Sequence, residues 1–255
     1  MKRSLFMNLV IILALAVPAG AHAASVGDTW FEGPDAGDVE NSPPQQTDGT
    51  GALNFIKGNI ADPQGANKDV DIYCIHISDF ENFSAETIRT NDAFSTLFDT
   101  QLWLFDENLK GVYANDDKGS VSNQDKNKGI NTDINALSLL PAGHEFGPES
   151  NGCYFLAITG FNMDAKSSPE TTTQGGLKMF SNSKFTDVMG PNNDGSLASW
   201  TGSAHFNVGN YTIKLTGAQF CSECDENPGP IPEPATACLL GLGLVAAAWR
   251  RKRAA

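Results

Sequence analysis

Leu102-Trp103-Leu104-Phe105 and Val112-Tyr113-Ala114 enclose a polar stretch, Asp106-Glu107-Asn108-Leu109-Lys110-Gly111. Aliphatic and aromatic residues suit a pleated surface, and Asp, Asn and Gly supply the turn between them. The spacing predicts a β-hairpin. Upstream, Val70, Ile72, Cys74 and His76 alternate with Asp71, Tyr73, Ile75 and Ile77. Apolar groups on both faces predict a strand buried on both sides. Shorter strand-like runs fall at residues 53–60, 85–89, 136–140, 153–159 and 210–216. No stretch in this region joins a long helical period to caps. The fold class is all-β, most simply an antiparallel β-sandwich.

Several of these runs follow one another in a familiar order. Asp69-Val70-Asp71-Ile72-Tyr73 precedes Phe98-Asp99-Thr100-Gln101-Leu102-Trp103-Leu104-Phe105-Asp106, and Ala114-Asn115-Asp116-Asp117 comes next. Gly152-Cys153-Tyr154-Phe155-Leu156-Ala157-Ile158 and Gly209-Asn210-Tyr211-Thr212-Ile213-Lys214-Leu215 complete the set. Together they resemble the bacterial pre-peptidase C-terminal (PPC-like) β-sandwich over residues 53–220. That resemblance implies a jelly-roll-like accessory module of a secreted protein, in a family whose collagen-binding relatives use calcium in some cases. The chain departs from the pattern by an insertion near residues 162–199 and by carrying no peptidase domain.

Both ends read as signals rather than fold. Lys2 and Arg3, an apolar stretch from Leu5 to Val17 and the Ala21-His22-Ala23 exit form a secretory signal peptide over residues 1–23, a signal helix cut before Ala24. At the other end, Pro232-Glu233-Pro234 leads into the apolar residues 235–249 and then Arg250-Arg251-Lys252-Arg253. The apolar run is shorter than the roughly 20 residues of a comfortable bilayer span, and snorkelling arginines extend its reach. Residues 232–255 resemble the PEP-CTERM sorting signal of Gram-negative bacteria, in which an exosortase recognises the Pro-Glu-Pro motif. That implies a transmembrane helix held transiently in the inner membrane, processing, and release to the cell surface or extracellular matrix. Prolines at 228 and 230 make residues 221–231 an exposed linker, and Gly, Pro, Asp and Gln make residues 24–52 a flexible lead-in.

The chain carries 17 basic and 30 acidic residues. Six of the basic residues and one acidic residue lie in the two terminal signals, which leaves 11 against 29, a net charge of −18. Such a surface excludes nucleic acid as a partner and suits solubility outside the cell or cation binding. Cys74, Cys153, Cys221 and Cys224 belong to the exported part, and an even count in an oxidising compartment predicts disulfides. Cys74–Cys153 is the favoured pair, each beside a tyrosine in a strand-like run, with Cys221–Cys224 as a local one. Four cysteines allow three connectivities.

Asp106, Asn108, Asn115, Asp116 and Asp117, with Asp69 and Asp71 from another strand, offer the hard oxygens that calcium prefers. The same residues also shape turns and cap strand ends. An EF-hand is excluded, since Lys110 stands at a ligand position and strands flank the loop. Trp103, Tyr113, Trp200 and Phe206 stand as core or as a stacking platform. His76, His144 and His205 lack metal-ligand spacing, and no nucleophile motif is present. The expectation is a non-catalytic exported protein, handled by signal peptidase and exosortase, that binds or scaffolds exopolysaccharide or matrix protein. A calcium-dependent carbohydrate- or protein-binding module is the alternative, and a secreted hydrolase ranks last.

Overall fold

In a computed structural model the hairpin forms as the sequence predicts, and its first strand is buried along its whole length. The structure describes residues 24–61, 69–120, 133–167, 178–180, 184–202, 204 and 208–221. The strands are β1 (Ala24–Val26), β2 (Thr29–Phe31), β3 (Gln45–Ala52), β4 (Phe55–Ile60), β5 (Val70–Ile77), β6 (Ser84–Thr87) and β7 (Thr100–Phe105). They continue with β8 (Gly111–Asn115), β9 (Leu139–Leu140), β10 (Gly152–Gly160), β11 (Met163–Ser167), β12 (Leu197–Gly202), β13 (Gly209–Thr216) and β14 (Ala218–Cys221). A single 3₁₀ turn, Ile134–Ala136, is the one helical element among the described residues.

The strands form two six-stranded sheets and a small third one. The first runs β1-β2-β4-β13-β6-β9, the second β14-β3-β5-β10-β7-β8, and β11 pairs with β12. Alternation along each strand sends successive side chains to opposite faces. Tyr73, Ile75, Leu102, Leu104 and Leu156 of the second sheet share one core with Ile56, Ile213 and Leu215 of the first. The all-β, sandwich-like class is therefore borne out. The pairing is not wholly antiparallel: β2 runs parallel to β4 and β3 parallel to β5.

The opposite face of the second sheet is covered too. Ile72, Trp103, Phe105 and Phe155 pack against Met163, Phe180, Leu197 and Trp200 from the insertion. Trp103 meets Phe180 at 5.4 Å and Trp200 at 5.8 Å between ring centroids. Its Nε1–H donates to Thr159 Oγ1 at 3.1 Å. At Gly111 a Cβ would stand 2.6 Å from Phe180 Cζ, so only glycine admits that ring. This cover explains the two apolar faces of β5 and β7, and it makes Trp103 and Trp200 core residues rather than a platform.

Residues 24–52 depart from the expectation drawn from their composition. The stretch read as a flexible lead-in forms β1, β2 and β3, which join both sheets. Its polar composition suits strands with side chains facing water, as in β3, which is exposed over its last five residues. Among the described residues no helix is long and apolar enough to cross a membrane. Cys221, expected to open the 221–231 linker, ends β14 instead; the rest of that linker, the signal helix and the sorting segment lie outside the described residues, with Ala21, Ala23, Pro232, Glu233 and Pro234, while Ala24 opens β1.

Candidate functional site

Asp69, Asp71 and Tyr73 are alternate residues at the start of β5 and so share a face. Asp71 is completely buried, and its Oδ2 accepts a hydrogen bond from the Tyr211 hydroxyl at 2.6 Å. The Tyr211 and Tyr73 hydroxyls are 2.5 Å apart. Asp71 Oδ1 is buried and accepts from no N–H group, and the Glu32 carboxyl hydrogen-bonds with Asp71. Asp69 Oδ2 accepts from the Ala61 N–H at 2.5 Å.

The extension of β2 brings more carboxylates. Glu32 N–H donates to Lys57 O at 2.9 Å, which prolongs the β2–β4 pairing by one residue. Glu32 Oε2 accepts from the Asn59 N–H at 2.6 Å. Asp35 Oδ1 accepts from the Gly37 N–H at 2.9 Å, which fixes the following turn. Asp35, Asp69 and Asp71 each place a carboxylate oxygen within 4.8 Å of the others. A Cβ at Gly58 would stand 2.3 Å from the Tyr211 hydroxyl and 2.5 Å from Glu32 Oε2, so the site needs glycine there.

Burial, then the charge of Asp69 and Asp35, pushes Glu32 up to about 7 against the pull of its Asn59 hydrogen bond. Burial raises Asp69 to about 6, with Asp35 and Asp38 adding to it. Asp71 is raised well above the usual carboxylate range by burial, then by Glu32 and Asp69. Tyr73 and Tyr211 are raised by burial, so both stay protonated donors. The ion pairs among the described residues, Lys57–Asp92, Lys118–Glu86 and Lys178–Asp164, lie elsewhere. Crowded buried carboxylates are relieved by protons or by a cation. Calcium takes six to eight oxygens at about 2.3–2.6 Å, so ligands of one ion lie within about 5 Å of each other. Asp35, Asp69 and Asp71 meet that limit, with Glu32 hydrogen-bonded to Asp71 and Tyr211 orienting Asp71.

The residues expected to act together divide into three places. Asp106 Oδ1 accepts from the Asn108 and Lys110 N–H groups, each at 2.8 Å, so Asp106 and Asn108 shape the hairpin turn. Asn115 Oδ1 accepts from Leu139 N–H, and its amide donates to Asp117 O. Asp116 and Asp117 gather with Asp99, all three buried, at the far end of the hairpin from the turn. Only Asp69 and Asp71 reach the β2–β5 cluster. Sequence reasoning missed Glu32 and Asp35, which sit in Glu32-Gly33-Pro34-Asp35-Ala36-Gly37-Asp38; the alternation Trp30-x-Glu32 was the available signal.

The cysteine pairing also changes. Cys74 is disulfide-bonded, but the Cys74–Cys153 bond is not formed. The β5–β10 register sets Cys153 opposite His76 and Phe155 opposite Cys74. Cys153 Sγ instead lies 3.3 Å from Cys221 Sγ. Cys224 lies outside the described residues. An open groove of about 530 Å³ runs past the hairpin turn, lined among others by Asp106, Glu107, Glu145, Phe146, Glu149 and Tyr154.

An all-β, sandwich-like domain with an acidic strand-end cluster defines the class structurally. Residues 230–253 match the family model of the PEP-CTERM protein-sorting motif. The motif indicates an exported, cell-surface-directed protein that an exosortase processes. No curated protein and no solved structure matches the chain.

Proposed function

We propose that this protein is a non-catalytic surface or extracellular-matrix component whose PPC-like, jelly-roll-like domain binds or scaffolds exopolysaccharide or matrix protein. In this reading signal peptidase releases the N-terminus, and the C-terminal segment holds an inner-membrane intermediate until the exosortase acts. The PPC-like resemblance is supported by the place of its most specific segment: Asp99–Asp106 spans the buried strand β7, and Ala114–Asp117 closes β8. The acidic groove beside the turn, with Phe146 and Tyr154, offers a surface to a hydroxyl-rich or basic ligand.

The sorting step has a direct test. Replacing Glu233 with Ala is expected to leave a cell-associated precursor that keeps the mass of the C-terminal segment, read by mass spectrometry of membrane and surface fractions. Normal processing and placement of that variant would contradict the role given to the motif.

A calcium-dependent form of this function is favoured by one observation, the convergence of Glu32, Asp35, Asp69 and Asp71 around a buried carboxylate oxygen. The unfolded carboxyls titrate near 4, and Glu32 and Asp69 titrate in the folded chain at about 7 and 6. The folded state therefore holds protons that the unfolded state has released. Without a cation, the stability these groups give is fully present below about pH 4 and is lost as pH rises through 6 to 7. A bound cation replaces the protons, so the calcium-induced rise in unfolding midpoint is expected to be small at about pH 4.5 and full at about pH 8. Thermal unfolding with calcium and with chelator at both pH values checks this. A rise that is equal at both, or larger in acid, would contradict the assignment.

A further inference from the structure

Cys153 and Cys221 come from strands far apart in sequence, yet their sulfurs lie 3.3 Å from one another. Local geometry holds both in place. Cys153 lies near the start of β10, where it faces His76 of β5. On the other side of β5, His76 faces Gln219 of β14, and an irregularity between Gln219 and Cys221 moves the pairing of β14 onto β3. The Cys221 N–H donates to Thr47 Oγ1 at 3.0 Å, and that hydroxyl donates to Cys74 O at 2.7 Å. Cys221 is thereby fixed over the same sheet face as Cys153 and Cys74, within the second core.

We infer that Cys153 and Cys221 form a disulfide in the exported protein, a covalent bond that ties the last strand of the domain to β10. A disulfide needs its sulfurs at about 2.05 Å, so the two must close by a little over 1 Å. The sorting motif directs the chain out of the reducing cytoplasm into an oxidising environment, where such bonds persist. Cys153 is half-buried and lines the groove, whereas Cys221 is buried, which sets the order of events. The Cys153 thiolate attacks the disulfide of a thiol–disulfide oxidant and forms a mixed disulfide, releasing one of the oxidant's sulfurs as a thiolate. The Cys221 thiolate then attacks Cys153 Sγ, forms the Cys153–Cys221 bond and expels the oxidant's second sulfur. Two thiols are oxidised, and their two protons and two electrons leave with the oxidant as a dithiol.

The bond has a mechanical consequence. β14 is the last described strand before the segment that carries the sorting motif. β14 is held to β3 and β5 by short ladders of backbone hydrogen bonds. A covalent tie to β10 anchors the root of that segment to the centre of the second sheet. Force or handling at the C-terminus is then resisted by the sheet rather than by an edge strand alone.

The test is a peptide map of the full chain as exported by a producing cell. Thiols are alkylated under denaturing conditions without reduction before proteolysis and mass spectrometry. The expected result is a cross-linked pair of peptides containing Cys153 and Cys221, lost on reduction. Cys153 and Cys221 both recovered alkylated, or either one linked to Cys74 or Cys224, would overturn the inference. The Cys153→Ser variant adds an independent arm. It is expected to leave Cys221 alkylatable and to lower the unfolding midpoint, with unchanged strand content by circular dichroism. An oxidised Cys221 in that variant would count against the pair.

Discussion

Replacing Asp71 with Asn is expected to abolish the calcium-induced rise in unfolding midpoint without lowering the midpoint measured in chelator. The two effects have one cause. Asp71 is buried, one carboxylate oxygen is engaged by the Tyr211 hydroxyl, and the other accepts from no N–H group. In chelator near pH 8 the wild-type site must keep a proton against a mildly basic solution or tolerate charge beside Glu32 and Asp69. Asn has the same shape, keeps an oxygen for the Tyr211 hydroxyl and replaces the other oxygen with an amide that donates toward the neighbouring carboxylates. The cost of the crowded charge disappears, and so does the innermost anionic ligand. A cation at a hundredfold excess over its dissociation constant stabilises the folded state by about 2.7 kcal/mol. For a domain of this size that is roughly 5–10 °C in midpoint, all of which the variant should lose. A variant that kept the full shift would place the cation elsewhere, with the Asp99, Asp116 and Asp117 group the next place to look.

The largest loss of stability is expected at Trp103. Its indole fills the space between the second sheet and the insertion, touches Phe180 and Trp200, and satisfies its own N–H at Thr159. Truncation to Ala leaves a cavity lined by aromatic rings on both sides of the contact. Such changes cost about 3–5 kcal/mol, on the order of 10 °C here. The same change should loosen β11 and β12, which reach the sheet chiefly through this cluster, and limited proteolysis should cut first in residues 163–202. Trp103→Phe keeps a ring and should lose less. A truncation costing under about 1 kcal/mol would mean the insertion does not depend on this contact.

The parts of the fold that were legible are those where a strand carries its own signal. Leu102–Phe105 and Val112–Ala114 are apolar runs around a turn whose Asp106 side chain closes on the Asn108 and Lys110 backbone. Both apolar faces of Val70–Ile77 announced burial on two sides, though not that the insertion near residues 162–199 supplies the second cover. β1, β2 and β3 were not legible because they are held by pairing with distant strands. The side chains of β2 and β3, apart from Trp30 and Thr47, have little to bury.

The candidate site divides along the same line. Asp69 and Asp71 were readable because they open a clear strand, while Glu32 and Asp35 come from the stretch that composition makes look like a linker. Asp99 could have been found. The register Leu104 to Tyr113 and Leu102 to Asn115, continued two steps, sets the residues before β7 beside those after β8. The cysteines show the opposite limit, since only the sheet register reveals that Cys153 faces His76 rather than Cys74.

Calorimetric titration of calcium into the chelator-treated exported protein at about pH 7, in two buffers of different ionisation heat, reads the cation site itself. The expected result is saturable binding accompanied by proton release, because at this pH Glu32 and Asp71 hold protons that the cation must displace. No saturable binding at millimolar calcium, or binding with no proton released, would contradict a cation site at these carboxylates.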